Sequence, residues 1–69
     1  MPFVNVKLAE SGATREQKAQ IVQEITSTLQ RVLNKNPEVT HVVIEEISTD
    51  NWGHGGRLLT EIRKEQAAK

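Results

Sequence analysis

One long stripe of apolar residues at helical spacing, set between two short β-like runs, leaves this chain few folds to choose from. Val22, Ile25, Leu29 and Val32 recur every three or four residues, and Ile21 and Leu33 widen the stripe. Lys18, Gln20, Gln23, Glu24, Gln30 and Arg31 take the opposite side. The spacing predicts an amphipathic helix of roughly five turns, from Arg15 to about Asn34. Thr14 and Gln17 form a capping-box pair at its start. Arg31 and Lys35 suit the negative end of its dipole, and Pro37, by disfavouring helical geometry at Asn36, predicts the exit. Ahead of the helix, residues 2–8 alternate, with Val4, Val6 and Leu8 on one face, the period of a half-buried strand. Proline is tolerated at a strand's first residue. Residues 9–13, with Ser11-Gly12, read as a loop. Beyond the helix, residues 40–47 centre on Val42-Val43-Ile44, continuously apolar and β-branched, as in a strand covered on both faces.

Strand, helix and strand in that order make a βαβ unit with parallel strands and a right-handed crossover. Residues 48–56 are turn-rich and carry the sole tryptophan, Trp52, ahead of Gly53-His54-Gly55-Gly56, which predicts a short hairpin or looped ribbon. Leu58, Leu59 and Ile62 are spaced for a short helix, and the tail from Gln66 to Lys69 is expected to fray. The expected class is α+β, in one domain over residues 1–69. One helix covers only one face of the sheet, and the other face, still apolar at Val43, needs a partner. A chain of 69 residues buries only about 60% of its unfolded surface. The sequence has no cysteine and only two histidines, His41 and His54, so disulfides, thiolate sites and a structural zinc site are poor routes to stability. Self-association remains, and a second copy of the chain is the expected partner.

Nine basic and nine acidic residues are scattered along the chain. Without a basic patch, a nucleic-acid partner and a polybasic membrane contact are not expected. The apolar runs are far shorter than a membrane span, and no charged start followed by an apolar stretch marks a secretory signal. A cytoplasmic location is the default expectation.

The chemistry centres on Pro2. With Met1 removed, as a small second residue permits, Pro2 carries a rigid secondary amine; with Met1 attached, its nitrogen is an amide and cannot act as a base. Desolvation and nearby positive charge disfavour an ammonium, so such an amine can be neutral near pH 7. A positioned neutral amine is a general base suited to removing a proton next to a carbonyl.

The run Met1-Pro2-Phe3-Val4-Asn5-Val6-Lys7-Leu8 leads into Thr14-Arg15-Glu16-Gln17-Lys18 at the helix start. Val42-Val43-Ile44-Glu45-Glu46-Ile47 and Asn51-Trp52-Gly53-His54-Gly55-Gly56 follow. From residue 1 to about 60 these segments, in order and spacing, resemble the 4-oxalocrotonate tautomerase family. They are similar to a branch with an Asn-Lys-Asn segment after the helix, here Asn34-Lys35-Asn36. The resemblance implies a keto–enol tautomerase that uses an N-terminal proline and no cofactor. It also implies a homohexamer, a trimer of dimers, with sites at subunit contacts. The proline position is Pro2 and the aromatic position is Trp52. The family's two substrate-binding arginines fall at Ala13 and His41, so neither is present and the planar forks that would hold a dicarboxylate are missing. Lys7, Arg15 and Arg57 are alternative cations; Arg57, which follows the glycine ribbon near Trp52, and His41, at an arginine position, are the candidates carried forward as substrate-binding groups.

Other features carry less. His54 lies between glycines and reads as turn surface. Gly53-His54-Gly55-Gly56 lacks the strand-to-helix setting and lysine of a phosphate loop. Glu45 and Glu46 are strand neighbours and point to opposite faces, which argues against a shared acid–base site. The expected activity is tautomerisation of a small enolisable 2-oxo acid or similar carbonyl compound. The alternatives are a decarboxylase or dehalogenase of the same superfamily, or a non-enzymatic oligomeric protein that binds small molecules and whose tautomerase site has decayed.

Overall fold

The computed structural model describes residues 2–67. Strand β1 (Phe3–Ala9) is followed by helix α1 (Arg15–Leu33) and, after a 3-10 turn at Pro37–Val39, by strand β2 (His41–Ile47). A second 3-10 turn at Thr49–Asn51 leads to a hairpin of β3 (Gly53–His54) and β4 (Arg57–Leu58), and helix α2 (Leu59–Ala67) closes the described chain. The α+β class, the parallel pair, the long helix, the hairpin and the short helix are all as the pattern predicts. Of the tail expected to fray, Gln66 and Ala67 belong to α2; residues 68–69, like Met1, lie outside the described residues.

Local chemistry explains each end of α1. Thr14 has an extended backbone and its hydroxyl accepts from the Gln17 backbone N–H at 3.1 Å, while the Gln17 side-chain oxygen accepts from the Thr14 N–H at 2.9 Å. Two donors that the helix cannot satisfy internally are thus paired. Thr14→Ala is expected to cost about 1 kcal/mol, read as a lower thermal midpoint with an unchanged far-UV spectrum. The exit is set earlier than Pro37. Asn34 adopts φ 56°, ψ 36°; its N–H donates to the Gln30 carbonyl at 3.0 Å and the following Lys35 N–H to the Leu29 carbonyl at 3.3 Å. Asparagine tolerates this left-handed conformation and ends the helix there. Pro37 instead opens the following 3-10 turn, where the Asn36 side chain accepts from the Glu38 N–H at 3.0 Å.

β1 and β2 pair in register from Phe3 opposite His41 to Ala9 opposite Ile47. Val4, Val6, Leu8, Val42 and Ile44 share one face and are half-buried beneath α1. Lys18 departs from the polar side assigned to it: its ammonium pairs with Glu46 on this sheet face. Phe3, Asn5, Lys7, His41, Val43 and Glu45 share the other face, which no element among the described residues covers. Phe3 is 64% exposed and Val43 39%.

None of the described residues is buried. The chain exposes 5406 Å², where a folded monomer of its 7.7 kDa would expose about 4300 Å². Its radius of gyration is 15.7 Å against about 11 Å for a compact chain of this length. The subunit is therefore a two-layer piece with no closed core of its own. No helix among the described residues is long and apolar enough to cross a membrane.

Candidate functional site

Pro2 stands immediately before β1, half-buried, and its carbonyl accepts from the His41 N–H at 3.0 Å. That bond extends the parallel ladder by one step and holds the residue bearing the candidate amine against the start of β2. His41, the first residue of β2, is exposed on the uncovered face opposite Phe3. The structure therefore brings Pro2 and His41 together at one end of the sheet.

Trp52 lies at the other end. It follows the Thr49–Asn51 turn, is half-buried, and its carbonyl accepts from the Leu59 N–H at 2.8 Å. Lys7, Ile47, Asn51, Trp52 and Gly53 line an open cavity of about 270 Å³ there. Lys7 is five residues along β1 from Pro2, a rise of about 17 Å at strand spacing. Pro2 and Trp52 of one chain thus do not share a pocket.

The hairpin that carries Arg57 turns through Gly55 and Gly56, with φ of 61° and 83°. Positive values at both central residues suit the twist of a two-residue hairpin, and a side chain at either would strain it. His54 pairs with Arg57 across this turn and is exposed, as read from the sequence. Arg57 is not free: its guanidinium donates to both carboxylate oxygens of Glu65 on α2, at 2.9 and 2.6 Å. The Arg57 hydrogen bonds, and then its charge, hold the Glu65 carboxyl below the usual carboxylate range, and Glu65 in return raises Arg57. Because the Glu65 value is lowered, the pair is intact at neutral pH and is lost as pH falls through that lowered value.

Lys7 is also matched. Its ammonium is 3.0 Å from Glu45, which accepts from the Asn5 amide as well at 2.7 Å. Hydrogen bonds from Lys7 and Asn5 lower the Glu45 carboxyl, with the Lys7 charge adding to them. Glu45 and Glu46 do point to opposite faces, one to Lys7 and the other to Lys18. Arg15 opens α1, and Ala13 lies in a shallow cavity of about 400 Å³ with Leu8, Ser11, Gln17 and Ile21, among whose lining residues there is no cation. Among the described residues, no group of three His, Asp or Glu side chains could hold a metal ion.

Two arrangements escape a reading of the sequence. Glu65 is one. The other is the anchoring of α2: the Thr60 hydroxyl donates to Asp50 and meets the Thr49 hydroxyl at 2.6 Å, while Arg63 donates to the Glu10 carbonyl at 3.0 Å. These partners lie on different elements and follow no helical or strand spacing. Only the charges themselves, Arg57 ahead of a helix bearing Glu61 and Glu65, hint at the first.

Residues 2–62 match the family model described as Tautomerase enzyme. The chain is 48% identical over 68 residues to "Probable tautomerase K2" of Dickeya dadantii, covering 99% of this chain and 100% of that relative. Its fold superposes on the crystal structure of DmpI from Helicobacter pylori with a TM-score of 0.86 at 37% identity, covering 91% of this chain and 97% of the other. A heterohexameric 4-oxalocrotonate tautomerase from Chloroflexus aurantiacus shares the fold, with a TM-score of 0.81 at 22% identity over 91% of this chain and all of that one.

Proposed function

Since this chain belongs to the tautomerase family, we propose that it moves a proton in a small enolisable 2-oxo acid or similar carbonyl compound, with the Pro2 amine as base. The enzyme is a tautomerase, an isomerase by class. The observation that carries the finer reading is the fixing of Pro2 at the head of β1. Its carbonyl is held by the His41 N–H and its ring is half-buried, so a freed nitrogen has one position and a partly desolvated setting. The reaction needs only proton transfer between carbon and oxygen, which one base and one proton-returning group perform without a cofactor.

Such a base needs a walled site, and a single chain supports only half of one. Trp52, in the cavity with Lys7 at the far end of β1 from Pro2, is the apolar wall contributed by another copy. The uncovered sheet face and the missing core favour self-association, and the family resemblance makes the proposed assembly a homohexamer built as a trimer of dimers. His41, whose backbone N–H holds the Pro2 carbonyl while its side chain lies on the uncovered face with Phe3, is a polar candidate for a substrate contact across the subunit boundary. Arg57 takes a substrate carboxylate only in exchange for Glu65.

Intact mass together with a tautomerisation assay on phenylenolpyruvate tests the reading. Protein lacking Met1 is expected to accelerate ketonisation, and protein retaining Met1 to be inert. Equal rates for the two forms would remove the Pro2 amine from the mechanism.

A further inference from the structure

The chain's own carboxylates neutralise the cations around Trp52. Lys7, in the lining of the Trp52 cavity, is matched by Glu45, and Arg57, on the hairpin arm just beyond, by Glu65. The second pairing is the more selective. Two parallel N–H···O bonds fill the fork with which a guanidinium would otherwise take a substrate carboxylate. Glu65 is also presented by a helix that is held in place. Thr60 ties the first turn of α2 to Asp50 and Thr49, Arg63 ties its middle to the Glu10 carbonyl, and the Leu59 N–H ties its start to the Trp52 carbonyl. A carboxylate tethered in this way competes at a high effective concentration against any carboxylate arriving from solution.

We propose that Glu65 sets the charge class of the substrate: by occupying Arg57 it leaves the site selective for 2-oxo acids with a single carboxylate and discriminates against dicarboxylates. The inference rests on the reading that the Trp52 hairpin walls the reaction site. A single carboxylate next to the carbonyl is held at the Pro2 end, where the proton moves. A second carboxylate, reaching towards the hairpin, meets an ion pair with no net charge and must displace Glu65 to bind. The Arg57–Glu65 pair thereby discriminates without touching the reacting atoms, and Glu65 is a specificity-determining residue.

Trp52, as the sole tryptophan, supplies a readout that needs no turnover. Its fluorescence is titrated with adipate, a dicarboxylate, and with hexanoate, its monocarboxylate counterpart, in the assembled full-length protein. Glu65→Gln is expected to tighten adipate about three- to fivefold, as loss of one exposed, ion-paired competitor implies, and to leave hexanoate within about 1.5-fold. The gain is expected to vanish in Arg57→Gln/Glu65→Gln and to fall with added salt. Glu65→Asp, one methylene shorter and still charged, is expected to give a smaller gain in the same direction, and it decides the matter should Glu65→Gln not fold. Equal tightening of both ligands, or a gain that persists without Arg57, would overturn the proposal. Because binding is read without catalysis, these results stand apart from any failure of the proline mechanism, which would appear as an inert Met1-free enzyme.

Discussion

Pro2→Ala, with Met1 removed, is expected to lower kcat for phenylenolpyruvate by about 10²–10⁴-fold, the range one positioned acid–base group contributes. The loss falls on kcat rather than KM, because the amine acts on the proton in flight and contributes little to holding the ground state. The substitution leaves a primary amine on a freely rotating bond, so the residual rate measures how much of the effect comes from the rigid ring. The Pro2 carbonyl that accepts from His41 is backbone and survives the change. Trp52→Ala is expected to be impaired for a different reason, loss of the apolar wall. Since the two residues lie at opposite ends of one sheet, the variants should complement. Refolded together, Pro2→Ala and Trp52→Ala subunits regenerate about a quarter of intact sites by random pairing across a shared interface. A mixture no more active than its parents would place both residues in one subunit's site and contradict the shared arrangement.

Val43→Asp is expected to dissociate the assembly and unfold the released chains. Val43 sits mid-strand on the sheet face that nothing in its own subunit covers, opposite Asn5 and one pairing step along the face from both Phe3 with His41 and Lys7 with Glu45. An unpaired carboxylate pressed against a second layer there costs about 3–5 kcal/mol, repeated at every copy of the contact. In a protein with an ample core the result would be a folded monomer. Here no described residue is buried in the subunit alone, so nothing remains to offset the chain entropy. Size-exclusion mass and far-UV circular dichroism are expected to change together, whereas Val43→Thr, close in shape, leaves the assembly intact. A folded, monomeric Val43→Asp protein would show that the exposed face is not what holds the subunits together.

How much of this was legible depends on the range of each interaction. The Thr14–Gln17 box, the alternation of β1 and the glycine turn of the hairpin are local, written within a few residues of one another, and could be read directly. The end of α1 near Asn34 is legible, but its cause is not Pro37: two terminators lie close together there, and the left-handed tolerance of Asn34 acts first. Val42-Val43-Ile44 marks a strand with two apolar faces, and the expectation that one helix covers only one of them matches the 39% exposure of Val43. Lys18 reads as solvent-facing by helical period, yet its four-carbon stem lets the ammonium cross to Glu46. Arg57 reads as an available cation for the same kind of reason: its partner is eight residues away on another element, and nothing in the spacing reveals it. The roles of Pro2, Trp52 and His41 rest on resemblance and geometry together, since no periodicity marks a base.

The separation of Pro2 and Trp52 along one sheet also affects when activity begins. On the shared-site reading, a newly made chain carries two half-sites and no whole one. It must first lose its initiator methionine and then meet its copies before any substrate is turned over. Activity would then rise more steeply than the amount of protein at low expression and in proportion to it once assembly is complete. Dilution on the bench would show the same threshold, with specific activity falling at concentrations where the mass of the complex begins to fall.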